Sequence, residues 1–65
     1  MPIVRIEIFE GRSVEKKREL AEGLTAETMR VLDCARASVN VIIDEVKQEN
    51  WAVGGKLYSD QAKGD

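Results

Sequence analysis

The stretch Ser38-Val39-Asn40-Val41-Ile42-Ile43-Asp44-Glu45-Val46 is dense in β-branched residues and reads as a strand. What it means for the fold depends on what precedes it. Ile3 to Phe9 reads as another strand, with Val4, Ile6 and Ile8 on one face and Arg5 and Glu7 on the other. Between them, from Val14 to about Leu32, apolar residues recur at helical spacing: Leu20, Ala21, Leu24, Val31 and Leu32 form a stripe, with Thr28 tolerated among them. Glu15, Lys16, Arg18, Glu19, Glu22, Glu27 and Arg30 fall mostly on the water side. Glu10-Gly11-Arg12-Ser13 is a tight connection, and Ser13 suits the helix N-cap because its hydroxyl can accept from a free amide of the first turn. A strand, a long helix and a strand make a β-α-β unit, which predicts parallel strands and a right-handed crossover.

Working outward, Gly23 weakens the helix by about 1 kcal/mol relative to alanine and is expected to mark a close packing contact. Residues 33–37 form a connection and residues 47–50 a polar turn. Trp51 to Leu57 supplies a short hairpin around Gly54-Gly55. Tyr58 to Asp65 reads as a polar, frayed tail. The fold class is therefore α+β, a β-α-β unit with a short C-terminal hairpin, in a single domain over residues 1–65.

Two parallel strands and one helix leave open sheet edges and a half-covered face. The chain has 65 residues, one cysteine and no histidine. A fold this small needs disulfides, a metal or a partner. Cys34 has no second cysteine to pair with, and a His/Cys metal cage is excluded, which leaves assembly: a homo-oligomer in which two chains meet edge to edge as a two-layer dimer with a four-stranded sheet. The net charge of −2 argues against nucleic acid as a partner. The longest apolar run is too short for a bilayer. The first residues alternate instead of forming a signal-peptide core, and the lone cysteine fits a reducing compartment, so a cytoplasmic protein is expected.

The common catalytic constellations are missing. Without histidine there is no Ser-His or Cys-His nucleophile, and Gly54-Gly55 lacks the pattern of a phosphate loop. Most carboxylates sit on the solvent face of the helix. What remains is Met1-Pro2, directly ahead of a strand. Removal of Met1 would leave Pro2 as a secondary amine at the end of a rigid element. An α-amino group has a reference pKa of about 7.7–8.0, and apolar surroundings or a nearby cation disfavour its charged form. A neutral amine can act as a general base or as a nucleophile toward a carbonyl. Taken alone, Pro2 is a weak signal, because proline is common after an initiator methionine and is more often a plain second residue.

Four segments alter that balance: Pro2-Ile3-Val4, Glu10-Gly11-Arg12-Ser13, Val41-Ile42-Ile43-Asp44-Glu45-Val46, and Asn50-Trp51-Ala52-Val53-Gly54-Gly55. In order and spacing, over residues 2 to about 58, they resemble the 4-oxalocrotonate tautomerase family. The resemblance implies the tautomerase/MIF-like fold, a sheet-to-sheet dimer and usually a hexamer built as a trimer of dimers. It implies that Pro2 is the catalytic acid/base of an enol–keto isomerisation, that Arg12 binds a substrate carboxylate, and that Trp51 stands where an aromatic wall keeps the proline dry. It implies no cofactor and no metal. The expected site is an apolar crevice in which Pro2 faces Arg12. The substrates implied are small 2-hydroxy-unsaturated carboxylates, 2-hydroxymuconate-like or aryl enolpyruvates. Asn40 departs from the pattern, because well-known members have a second arginine there that stabilises charge near the substrate carbonyl. Asparagine donates a hydrogen bond but brings no charge.

Each residue also has a plainer reading. Arg12 is otherwise a loop arginine, and Trp51 is interface packing. Phe9 lines the pocket or the core. Ser38 reaches a ligand or serves a turn, and Cys34 is a small apolar filler. Two rival functions stand beside the tautomerase. One is hydration or dehalogenation of an unsaturated acid, with Asp44 or Glu45 as the water-activating carboxylate by type alone. The other is a catalytically silent oligomeric module.

Overall fold

A computed structural model of the chain describes residues 1–62. The elements in order are β1 (Ile3–Phe9), α1 (Val14–Leu32), a 3-10 turn (Arg36–Ser38), β2 (Asn40–Val46), a second 3-10 turn (Gln48–Asn50), β3 (Ala52–Val53), β4 (Lys56–Leu57) and α2 (Tyr58–Ala62). β1 and β2 pair in parallel, in register from Ile3 opposite Asn40 to Phe9 opposite Val46, and β3 and β4 pair antiparallel. The expected β-α-β unit and hairpin are both present.

Local chemistry explains the boundaries. Gly11 ends β1 with φ +117°, a conformation that resists a side chain. Ser13 then caps α1, its hydroxyl accepting from the Lys16 amide at 3.2 Å. Ser13→Ala is expected to cost about 1 kcal/mol of stability, read as a lower urea midpoint with an unchanged slope. An unchanged midpoint would show that α1 is held by packing alone. At the other end Asp33 adopts the left-handed conformation, φ 55°, and its amide donates to the Met29 carbonyl at 2.8 Å, which stops the helix. Gly54 and Gly55, at φ 61° and 83°, supply the two positive-φ positions of a tight hairpin turn.

Four details differ from the sequence expectation. β2 starts at Asn40, because Ser38 closes a 3-10 turn in which both its amide and its hydroxyl donate to the Ala35 carbonyl, at 3.0 and 2.7 Å. Val31 and Leu32 are 61% and 58% exposed; the half-buried face of α1 runs instead through Lys17, Leu20, Ala21, Leu24, Thr25, Thr28 and Met29. Nothing lies within 4 Å of where a Gly23 side chain would begin, so the close contact expected there is absent within the chain. The tail begins as the short helix α2, whose first amide, from Tyr58, donates to the Trp51 carbonyl at 2.8 Å; positions 63–65 lie outside the described residues.

The helix lies on one face of the β1–β2 sheet. Val4, Ile6, Val41 and Ile43 are half-buried, and Lys17 of α1 reaches Glu45 of β2 at 3.0 Å. The opposite face carries Ile3, Arg5, Glu7, Ile42 and Asp44, with Arg5 and Asp44 paired at 3.2 Å. Among the described residues none is fully buried. The chain is a slab of 45 × 25 × 14 Å with a radius of gyration of 15.2 Å, where a compact chain of this length would have about 11 Å. One sheet and one helix account for that thinness. No described helix is long and apolar enough to cross a membrane.

Candidate functional site

Pro2 sits half-buried at the start of β1. Its carbonyl accepts from the Asn40 amide at 2.9 Å, which ties the Pro2 backbone to the first residue of β2. Asn40 is exposed, and its side-chain amide donates to the Ser38 carbonyl at 3.4 Å, long enough to yield to a better acceptor. Parallel pairing thus gathers Pro2, Ser38 and Asn40 at one end of the sheet.

Phe9 and Arg12 lie at the other end. The seven residues of β1, at about 3.3 Å each, put more than roughly 20 Å between Pro2 and Arg12. The crevice in which the two face one another therefore does not exist within one chain. The cause is plain: a strand separates them, and a strand is extended.

Phe9 is not alone. Its ring lies 4.4 Å from that of Trp51 and 4.9 Å from that of Tyr58, with Trp51 and Tyr58 6.2 Å apart. All three rings are tilted or edge-on to one another, the arrangement aromatic quadrupoles favour. Tyr58 is the member hidden in the sequence, because its polar neighbours read as a tail. A signal existed: Trp51 and Tyr58 stand at equal distance from the Gly54-Gly55 turn, so a hairpin there brings them together.

Arg12 is exposed and, among the described residues, pairs with no carboxylate. It borders a groove of about 470 Å³ floored by Ile8, Leu20 and Leu24 and edged by Lys16, Lys17 and Glu19. The groove lies between α1 and the end of β1 and does not reach Pro2. A guanidinium that is both free and beside apolar surface is well placed to take a carboxylate bidentately. Asp44 and Glu45 point to opposite faces of β2, each held by a cation of its own chain, Arg5 at 3.2 Å and Lys17 at 3.0 Å. Among the described residues no group of three or more His, Cys, Asp or Glu side chains is arranged to hold a metal ion. Cys34 is a half-buried free thiol.

Comparison with known proteins gives this layout its context. The family described as tautomerase enzyme matches residues 2–61. The 2-hydroxymuconate tautomerase of Pseudomonas putida is 42% identical over 59 residues, 91% of this chain and 94% of its own. A 4-oxalocrotonate tautomerase isozyme of Methylibium petroleiphilum superposes with a TM-score of 0.94 at 30% identity, over 98% of this chain and 100% of the other. The heterohexameric 4-oxalocrotonate tautomerase of Chloroflexus aurantiacus superposes with a TM-score of 0.87 at 42% identity, over 92% of this chain and 97% of the other. The match opens on Pro2 and runs through Arg12, Asn40 and the aromatic trio, so both ends of the sheet lie inside the shared pattern: the chain belongs to the tautomerase family.

Proposed function

We propose that the chain is a cofactor-independent tautomerase that converts enol or dienol forms of small 2-hydroxy-unsaturated carboxylates to their keto forms, with Pro2 as acid/base. The observation that carries this reading is the placement of Pro2, pinned by the Asn40 amide at the mouth of a rigid strand and standing as the first residue of the family match. Once Met1 is removed its nitrogen is a secondary amine. The neutral amine takes the enol O–H proton, the O–H electrons form the C=O bond, and the displaced π electrons take a proton from the prolinium at carbon. Protons and electrons balance without a cofactor. Arg12 holds the carboxylate and draws electron density toward it. Trp51, with Phe9, excludes water and keeps the amine uncharged.

Because Pro2 and Arg12 occupy opposite ends of β1, a complete site takes its proline from one protomer and its arginine and aromatic wall from another. The thin slab without a closed core supports the same conclusion, as does the hexameric assembly named for the Chloroflexus relative. We place the chain as a homo-oligomer, a hexamer built as a trimer of dimers, in the cytoplasm. The hydratase or dehalogenase reading is less well supported, since Asp44 and Glu45 are both already paired.

The test is paired. Protein shown by intact mass to lack Met1 is expected to accelerate ketonisation of phenylenolpyruvate or 2-hydroxymuconate, and protein retaining a residue ahead of Pro2 is expected to be inactive, because an amide nitrogen is not basic. Ketonisation at the buffer rate by the Met1-free protein would leave the silent module as the correct reading.

A further inference from the structure

Resting on the tautomerase reading above, we propose that Lys17 is a positioning residue for Arg12: by neutralising Glu45, it keeps the Arg12 guanidinium free for the substrate carboxylate.

Glu45 lies on the face of the sheet that α1 covers. Ile8 is its partner across the parallel ladder, and residues paired in that way share a face. Ile8 also floors the groove that Arg12 borders. Lys17 lines the same groove and reaches Glu45 at 3.0 Å. Arg12 and Glu45 thus flank one lysine at one end of the sheet. A carboxylate placed there competes with substrate in two ways. It offers Arg12 the planar two-oxygen partner that the substrate would offer, and it repels an arriving carboxylate.

The charges around the groove are matched in pairs. Glu19 lines it and pairs with Lys16 at 3.8 Å, and Glu45 pairs with Lys17. The positive charge left over is that of Arg12. The two pairs are not equivalent. The side chains of Lys16 and Glu19 are 71% and 78% exposed, so water screens them and their pairing contributes little. Those of Lys17 and Glu45 are 29% and 33% exposed, less than in any other ion pair among the described residues, and charges so placed are screened less. The remaining acids at this end lie elsewhere. Asp44 points to the opposite face and is held by Arg5. Glu10 lines a separate hollow with Lys47. Loss of the Lys17 charge therefore leaves Glu45 as the unmatched carboxylate beside the groove.

The same pair ties α1 to β2, and kinetics separate that role from the electrostatic one. Met1-free wild type, Lys17→Met, Glu45→Gln and the double variant are compared on phenylenolpyruvate. Lys17→Met is expected to raise KM by about fivefold while kcat stays within about twofold, the signature of weakened binding alone. Glu45→Gln releases Lys17 beside Arg12 and is expected to lower KM by about twofold. The double variant is expected to return KM to the wild-type value although the ion pair is gone. A pair that only holds the helix gives a different pattern: both single variants raise KM, and the double variant is no better than either. That pattern overturns the proposal, as does a wild-type KM in Lys17→Met. If Lys17→Met does not fold, Glu45→Gln decides alone, and a raised KM there overturns the proposal. In each of these cases an active wild type leaves the tautomerase reading standing. Ketonisation at the buffer rate by the wild type removes that reading, and the role of Lys17 with it.

Discussion

Replacing Pro2 with alanine is expected to lower kcat for ketonisation by about a hundredfold or more, the usual contribution of a positioned general base. The fold should survive, because the contact that anchors the start of β1 is made by the Pro2 carbonyl, which alanine also has. Alanine would still present an amine, but a primary one on a freely rotating residue, where the pyrrolidine ring holds its nitrogen in a fixed direction. The pH profile should confirm the role. With a neutral amine as the base, wild-type activity is expected to be greater on the alkaline side of the profile and to fall as the solution is made acid. In Pro2→Ala that limb should shift or vanish. A variant with wild-type kcat and an unaltered profile would remove Pro2 from the chemistry.

The second large effect is expected at Arg12. Charge-assisted hydrogen bonds contribute about 1.5–3 kcal/mol each, so Arg12→Ala should lower kcat/KM by about a hundredfold or more, chiefly through KM. Arg12→Lys should recover only part of the loss, since a point charge cannot reproduce the bidentate fork. Stability is the control. Arg12 is exposed and makes no ion pair among the described residues, so the urea midpoint should not move. A drop in activity accompanied by an equal drop in stability would mean that the arginine supports the fold instead of the substrate.

Much of this was legible in the residues themselves. The alternation of Ile3 to Phe9 and the Ser13 cap gave β1 and α1 with the boundaries observed, because strand period and capping chemistry are local properties. β2 was placed two residues early because Ser38 looks like a strand residue; its hydroxyl bond to Ala35 competes with the strand and wins. Val31 and Leu32 misled for another reason. Periodicity registers an apolar face without saying whether the same chain covers it, and both side chains stay exposed within this one. The site shows the same contrast. Pro2, Arg12, Asn40 and Trp51 were visible as residue types in a shared pattern. Their separation followed from the strand length, but the resemblance, which joins residues without regard to which chain supplies them, drew them into one crevice. Tyr58 was lost because polar neighbours outweighed its symmetry about the Gly54-Gly55 turn.

The length of β1 has a further meaning. If the strand lends its first residue to one pocket and the arginine beyond its far end to another, each polypeptide is a shared component of two reaction centres, and no centre belongs to a single copy of the chain. Damage then spreads unevenly. A chain defective at one end still completes a neighbour with the other, so an assembly that mixes the two kinds of lesion retains some intact pockets that neither lesion alone would leave.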